Sequence, residues 1–144
     1  EVHIYNDNTS AFLDAFDTTG PLKGGADYVI FGPDFNNDST DDIYASSAND
    51  SLVAVFSGTD YAVLDSDLLS GSPSFHFGLG FLPGGDLLAV DRNGSRVERF
   101  NGSTLTQFGQ ATSSAPASLD GPNAMAIVPE VDPAEIVRVP LASV

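Results

Sequence analysis

Asp42–Leu64, with the sequence DIYASSANDSLVAVFSGTDYAVL, aligns without a gap with Asp86–Phe108, with the sequence DLLAVDRNGSRVERFNGSTLTQF. The identical pairs are Asp42/Asp86, Ala45/Ala89, Asn49/Asn93, Ser51/Ser95, Val53/Val97, Phe56/Phe100 and Gly58/Gly102. An internal repeat of roughly 45–50 residues, with short apolar segments between turn residues, is typical of stacked β-sheet units. The repeat therefore predicts an all-β chain before any single strand is assigned.

Each complete unit is predicted to contain four strands, because apolar and polar residues alternate in short runs that turn residues separate. In the first unit the predicted strands are Tyr28–Gly32, Ile43–Ser46, Leu52–Phe56 and Tyr61–Leu64. In the second they are His76–Leu82, Leu87–Val90, Arg96–Phe100 and Leu105–Phe108. Asn93-Gly94 predicts a type I′ hairpin turn, in which both central residues need positive φ.

A third unit is divided between the two ends of the chain. Its segments match the second unit as follows: Ile127–Glu130 with Phe81–Gly84, Glu135–Val139 with Asp86–Val90, and Val2–Tyr5 with Val97–Phe100. Phe81–Gly84 also matches Phe31–Asp34 of the first unit, so Phe31 is the counterpart of Phe81. In this register Val144 falls on Ser95 and Glu1 on Arg96, so the last and first residues are consecutive in the repeat. The predicted strands of the split unit are Val2–Tyr5, Ala11–Phe16, Ala124–Val128 and Glu135–Val139.

The split unit has a consequence for assembly, because unpaired strand edges invite pairing with another chain. Closed β-propellers typically have four to eight blades, so three units leave three arrangements open. Two chains could close a six-unit ring, chains could join end to end, or three units could form an open stack. We expect exchange between chains, through Val2, His3, Ile4 and Tyr5 on one side and Glu135, Ile136, Val137, Arg138, Val139 and Leu141–Val144 on the other.

The segment Phe81–Phe100, FLPGGDLLAVDRNGSRVERF, resembles a blade of the NHL and SMP-30/gluconolactonase type, which tends to read F-x-P-x-G-x-L-Y-V-A-D-x-x-N-x-R-V-x-x-F. The resemblance implies a single β-propeller-like domain over residues 1–144, with blades at 28–64 and 76–108 and a split blade from 1–16 and 124–144. Its lactonase branch implies a metal on the propeller axis held by Glu, Asn and Asp, and those ligands have no residue-by-residue match here. One fold hosts many functions, so the resemblance implies architecture rather than activity.

A second resemblance is local. Asp34–Tyr44, DFNNDSTDDIY, is similar to the calcium loop of FG-GAP/VCBS-type propellers, commonly D-F-N-G-D-G-x-D-D-I. Calcium prefers six to eight oxygen ligands, which alternating acidic side chains on a tight loop deliver. The resemblance implies ligation by Asp34, Asn36, Asp38 and Asp42 side chains and by the Thr40 carbonyl. Asn37 and Ser39 replace the two glycines, and the alternative is a solvated acidic turn.

Composition narrows the classes of partner. The net charge is −15, from 20 Asp and Glu against 5 Lys and Arg, whereas nucleic acids and anionic membranes require a basic surface. The chain has no Cys, so thiol chemistry and disulfides are excluded. No apolar run approaches the length of about 20 residues that spans a bilayer. We therefore expect neither nucleic acid nor a membrane span among its partners.

The predictions of localisation and glycosylation depend on local sequence patterns. The chain begins at Glu1 rather than Met, as mature exported proteins do, so an extracellular or cell-surface location is expected. The alternative is a chain trimmed at this point, which would begin in the same way. The N-x-[ST] sequons lie at Asn8, Asn37, Asn49, Asn93 and Asn101. Such sequons are glycan acceptors in exported proteins, although Asn is also a common turn residue.

Catalytic patterns are weak. His3 and His76 are single histidines in predicted strands, and no nucleophile elbow, phosphate-binding loop or metal-spaced His pair occurs. We therefore predict a non-catalytic extracellular protein that assembles with itself into a filament, tube or ring, with calcium as a candidate cofactor. The alternatives are a six-bladed dimer that binds a saccharide or peptide and, less favoured, a metal-dependent lactonase-type hydrolase.

Overall fold

A computed structural model describes residues 1–66, 76–101 and 107–111, together with Met125 and Ile127. Throughout these residues the regular structure is β-strand, without helix. The strands are β1 (Val2–Tyr5), β2 (Phe12–Phe16), β3 (Tyr28–Gly32), β4 (Asp42–Ser47), β5 (Leu52–Phe56), β6 (Val63–Asp65), β7 (His76–Phe81), β8 (Leu87–Asp91), β9 (Arg96–Phe100) and β10 (Gln107–Ala111). The prediction of an all-β chain is confirmed. Among the described residues there is accordingly no helix long and apolar enough to cross a membrane.

The strands form three small antiparallel sheets. The N-terminal sheet is the hairpin β1–β2, the central sheet has the order β3-β4-β5-β6, and the third sheet has the order β7-β8-β9-β10. Neighbours in sequence are therefore neighbours in each sheet, as the short turn-rich connections predicted. Four strands (β1, β3, β5 and β9) have the bounds predicted from the repeat, and the others differ from them by a few residues.

The three sheets stack face to face, with the central sheet in the middle. We call the side of the central sheet that carries Ile43, Ala45, Ala54 and Phe56 its front face, and the side that carries Tyr44, Val53 and Val55 its back face. The front face packs against Val2, Ile4 and Phe16 of the N-terminal sheet. The back face packs against Leu79, Leu87, Ala89 and Phe100 of the third sheet. Because both faces are covered, every residue of β4 is buried.

The repeat gives the same front and back faces to all three sheets. Phe100, the counterpart of Phe56, lies on the front face of the third sheet and packs against the back face of the central sheet. Val2 and Ile4, the counterparts of Val97 and Arg99, lie on the back face of the N-terminal sheet and pack against the front face of the central sheet. Each described junction therefore joins one front face to one back face.

The turn between β8 and β9 differs from the prediction. Asn93-Gly94 does not form a type I′ turn, because the residue with positive φ is Ser95, at 51°. Its repeat counterpart Ser51 has φ of 56°. The longer connection ends on a left-handed residue, as in hairpins whose type I turn is followed by a bulge, and the Asp91 carboxylate accepts the Gly94 N–H at 2.8 Å. The prediction overlooked this longer turn.

Arg96, Glu98 and Asp91 form an ion-paired group within the third sheet. Glu98 is fully buried, and its carboxylate accepts bonds from Arg96 Nε at 3.0 Å and Nη2 at 2.6 Å. Arg96 Nε also lies 3.1 Å from the buried carboxylate of Asp91. Buried carboxylates need such partners because their desolvation is costly.

Candidate functional site

The first candidate site is the open edge of the N-terminal sheet. β1 pairs with β2 from Val2/Phe16 to Tyr5/Phe12, and no other described strand pairs with it. The ring of Phe16, in β2, stacks on Tyr61 with centroids 5.0 Å apart, next to β6. β2 therefore lies over the β6 side of the central sheet, and the second edge of β1 faces the β3 side.

The part of the central sheet next to that edge is incompletely covered. Phe31 lies opposite Ile43 on the front face, yet its exposure is 64%. Ile43 itself is 2% exposed. The N-terminal sheet has two strands and the central sheet has four, so the N-terminal sheet covers only part of the front face of the central sheet. An apolar ring is thus left beside an edge whose backbone groups have no strand partner among the described residues.

The described C-terminal residues lie at the opposite end of the stack. A Cβ atom placed on Gly80 would be 2.7 Å from Ile127 Cδ1 and 3.5 Å from the sulfur of Met125. Gly80 pairs with Leu88 and so lies on the back face of the third sheet. Two sheets therefore separate Ile127 from the N-terminal sheet. The remaining assembly residues predicted from the sequence, Glu135, Ile136, Val137, Arg138, Val139 and Leu141–Val144, lie outside the described residues.

The outward, front face of the N-terminal sheet carries three aromatic rings. His3, Tyr5 and Phe12 are mutually in contact, with ring centroids 5.8 to 6.5 Å apart. Tyr5 is 56% and Phe12 is 57% exposed. We call this group the aromatic face. His3, which was predicted to lie in a terminal strand, is in β1 with its side chain at the surface, and its Nε2 lies 3.6 Å from the exposed Glu1 carboxylate.

The second candidate site is the loop between β3 and β4, whose side chains fold inward onto its own backbone. The Asp34 carboxylate accepts the N–H groups of Asp38 at 3.0 Å and Ser39 at 2.7 Å. The Asn36 side-chain oxygen accepts Asp38 N–H at 2.9 Å, and the Asp38 carboxylate accepts Thr40 N–H at 2.9 Å. Oxygens at alternate residues are thereby brought to one side of a tight turn.

The two residues that replace glycines in this loop adopt the conformation that glycine favours. Asn37 has φ of 61° and Ser39 has φ of 73°. Left-handed backbone costs an ordinary residue of the order of 1 kcal/mol, so the loop keeps its turn at some expense. The replacement of both glycines is therefore compatible with the sharp turn that the loop needs.

Asp42 has a different position from the other predicted ligands. It is fully buried beneath the loop, where its carboxylate accepts Phe35 N–H at 2.7 Å and Gly58 N–H at 3.0 Å. It thus joins the β3–β4 loop to the β5–β6 loop. The same two loops meet again where Thr59 Oγ1 donates to Asp38 at 3.3 Å.

Two pKa shifts follow from this arrangement. The Asn36 side chain, aided by bonds from Thr40, holds the pKa of Asp38 below its usual value. Burial raises the pKa of Tyr44 to about 12, and the nearby carboxylates of Asp42 and Asp34 act in the same direction. Tyr44 therefore keeps its proton and donates it to the Pro33 carbonyl at 3.1 Å, which anchors the start of the loop.

The loop borders a cleft of about 290 Å³. Phe35, Asp34 and Asn37 form one wall, and Gly85, Asp86 and Asn101 of the third sheet contribute to the other. Asp86 is held by Arg99, whose Nε donates to it at 3.0 Å. The cleft thus combines one aromatic ring with carboxylates and amides.

Metal-binding capacity depends on more than the acidic side chains. Within the described residues, no three His, Cys, Asp or Glu side chains are arranged to hold a metal ion. A calcium ion on the β3–β4 loop would therefore need the amide oxygen of Asn36 and the carbonyl of Thr40 in addition to Asp34 and Asp38. Oxygen donors of these neutral types are ordinary calcium ligands.

The sequon asparagines all lie in or beside turns. Asn8, Asn37, Asn49 and Asn93 are exposed, and Asn101 is half-buried. Asn37 and Asn101 both line the cleft, so a glycan on either would occupy its mouth.

No protein-family model, curated protein or solved structure matches this chain.

Proposed function

We propose that this protein is a non-catalytic structural protein that assembles with copies of itself by completing the split sheet. In this assembly, the C-terminal segment that includes Glu135–Val139 pairs with the open edge of β1 in a neighbouring copy. Main-chain hydrogen bonds would supply the join, and alternating side chains would set its register.

The observation that carries the proposal is the exposure of Phe31 beside the open edge of β1. Two further strands placed there would extend the N-terminal sheet to four strands and cover Phe31. The chain's own residues 125 and 127 lie on the back face of the third sheet instead. A neighbouring copy is thus the natural source of those strands, and the completed sheet would be a propeller-like blade.

Calcium is proposed as a stabiliser of this fold rather than as a catalytic metal. Asp34, Asn36, Asp38 and Thr40 would bind it, while Asp42 holds the loop from below. A bound cation would also offset part of the net charge of −15. We expect calcium to raise the melting temperature of the wild type, and Asp34→Asn with Asp38→Asn to abolish that rise; an equal rise in the double variant would exclude this loop.

The assembly proposal is tested by Ile136→Pro and by deletion of residues 141–144, with Ile136→Val as the matched control. Proline removes a ladder N–H and disfavours a paired strand, whereas valine keeps both shape and backbone bonding. We expect large species in the wild type and in Ile136→Val by light scattering, and monomers in the other two. Electron microscopy distinguishes a filament from a closed ring of two chains. Unchanged sizes in the proline and deletion variants would contradict strand pairing.

An extracellular location is part of the same proposal, and the exposed sequon asparagines at turns support it. Intact mass measurement of the native material before and after glycosidase treatment tests whether any of Asn8, Asn37, Asn49, Asn93 and Asn101 carries a glycan.

A second candidate function is favoured by the cleft beside Phe35. An aromatic ring with carboxylate and amide groups around it suits a neutral saccharide, since the ring stacks on the sugar and the polar groups bond its hydroxyls. Calorimetric titration with a panel of neutral oligosaccharides would detect binding. Phe35→Ala should weaken that binding, and absence of heat with every sugar would remove this candidate.

A further inference from the structure

We propose that the aromatic face of the N-terminal sheet packs against the back face of the third sheet of a neighbouring copy. This contact is distinct from the strand pairing described above, although it rests on the same assembly. Strand pairing extends a sheet sideways, whereas this contact stacks one sheet upon another. Its partner surface carries Leu88, Val97 and Arg99.

The aromatic face is exposed, whereas its counterparts in the other two sheets are buried. Tyr5 falls on Phe56 and Phe100 in the repeat, and those residues are 0% and 4% exposed. His3 falls on Ala54 and Glu98, both fully buried. Tyr5 is 56% exposed. In the other two sheets, the same position of the same face is thus covered by a neighbouring sheet.

The packing of the sheets within one chain indicates what covers the aromatic face. In the described stack a front face always meets a back face: the third sheet on the central sheet, and the central sheet on the N-terminal sheet. Two faces end the described stack. One is the front face of the N-terminal sheet, and the other is the back face of the third sheet, where Val90 is fully buried, Met125 and Ile127 lie over Gly80, and Leu88, Val97 and Arg99 are half-buried. A second copy in the same orientation brings these two unlike faces together, which makes the contact heterologous.

The side chains of the two surfaces also suit each other. Phe100 packs among Tyr44, Val53 and Val55, whose counterparts on the third sheet are Leu88, Val97 and Arg99. Tyr5 would therefore meet two half-buried apolar side chains and a guanidinium group. The Arg99 side chain is 42% exposed and is held by Asp86. An arginine fixed in this way can lie over an aromatic ring, which is a favourable contact.

Site-directed cross-linking tests the proposal, and the absence of native Cys leaves no background reaction. Tyr5→Cys and Val97→Cys are prepared with different tags, mixed, allowed to assemble and treated with a short bismaleimide. A reagent with a spacer is needed because stacked sheets lie about 10 Å apart, too far for a direct disulfide. The control replaces Tyr5→Cys with Asp14→Cys, since Asp14 is exposed but pairs with Ile4, on the opposite face of the same hairpin.

We expect a cross-linked product that carries both tags from Tyr5→Cys with Val97→Cys, and its loss with Asp14→Cys. Circular dichroism confirms that each variant is folded. One outcome would overturn the stacking contact and leave strand pairing intact: deletion of residues 141–144 abolishes assembly, and Tyr5→Cys with Val97→Cys gives no cross-linked product. A product that persists after the deletion would support stacking and count against strand pairing. Equal products from both pairs would also overturn the specific contact.

Discussion

Phe81 packs edge-on against Tyr44, with ring centroids 4.9 Å apart, whereas its repeat counterpart Phe31 is 64% exposed. The two residues have the same place in their sheets, opposite Leu87 and Ile43 respectively. The difference lies in what each sheet faces. Phe81 faces a complete sheet of four strands, and Phe31 faces one of two strands.

Phe31→Ser is expected to reduce self-assembly while leaving the single chain stable. An exposed substitution usually changes the free energy of unfolding by less than about 0.5 kcal/mol. Phe81→Ser, the matched control, removes a ring that packs against Tyr44 and Gly32 and should cost about 3 kcal/mol. Light scattering and urea denaturation measure the two effects. Undiminished assembly in Phe31→Ser would argue that nothing covers this residue.

Asp42→Ala is expected to destabilise the fold, because it removes the acceptor of Phe35 N–H and Gly58 N–H. Each unsatisfied group costs about 1–3 kcal/mol when buried, and these are partly buried, so we expect a loss of about 2 kcal/mol in total. Asp42→Asn should lie between alanine and the wild type. Asp41→Ala, at an exposed neighbour, should have little effect. Measuring denaturation in the presence of a chelator separates the hydrogen bonding of Asp42 from any effect of metal binding. Equal losses of stability in Asp41→Ala and Asp42→Ala would refute this role of Asp42.

Arg96→Met is expected to destabilise the third sheet. The guanidinium contacts both Glu98 and Asp91, which are 0% and 1% exposed. Breaking a buried ion pair costs about 3–5 kcal/mol, and the partial exposure of Arg96 places the expected loss near the lower value. Adding Glu98→Met should restore part of it, because one of the two buried carboxylates that lose the guanidinium is then gone. A double variant less stable than Arg96→Met would contradict this account.

Stability is expected to fall in acid. The pKa of Asp50 is lowered first by the Gly24 N–H and then by the Ser47 hydroxyl, and hydrogen bonds likewise lower the pKa of Asp17 and Asp60. A lowered folded-state pKa contributes stability above the unfolded value, near 3.8, and that contribution is lost as the pH falls through the folded value. Urea midpoints at pH 7, 5, 4 and 3 should decrease mainly below pH 4. Asp50→Asn should flatten this decrease, and an unchanged profile would rule out its role.

The repeat was enough to predict the strands of the two complete units, because alternation and turn residues are local signals. The pairs Ala45/Ala89 and Phe56/Phe100 are buried as an alternating core pattern predicts. The turn at Asn93-Gly94 was mispredicted, since the left-handed residue is Ser95. A dipeptide indicates that a turn occurs, but the number of residues in the connection selects its type.

The candidate sites were harder to predict from the sequence than the strands. The acidic loop was visible as a spacing of carboxylates, but the burial of Asp42 was not, because it depends on the approach of Gly58 from another loop. The exposure of Phe31 also depends on the width of the sheet that faces it. The alignment of Phe31 with Phe81 was the available signal in the sequence. The difference in exposure between the two residues is explained only by the stacking of the sheets.

The rule that a front face meets a back face gives any array of these chains a direction. In an array stacked as proposed, one terminus would present aromatic rings, and the other would present an arginine among aliphatic groups. Growth at the two termini would then proceed at different rates, and a copy altered on one surface alone would act as a cap for one terminus only.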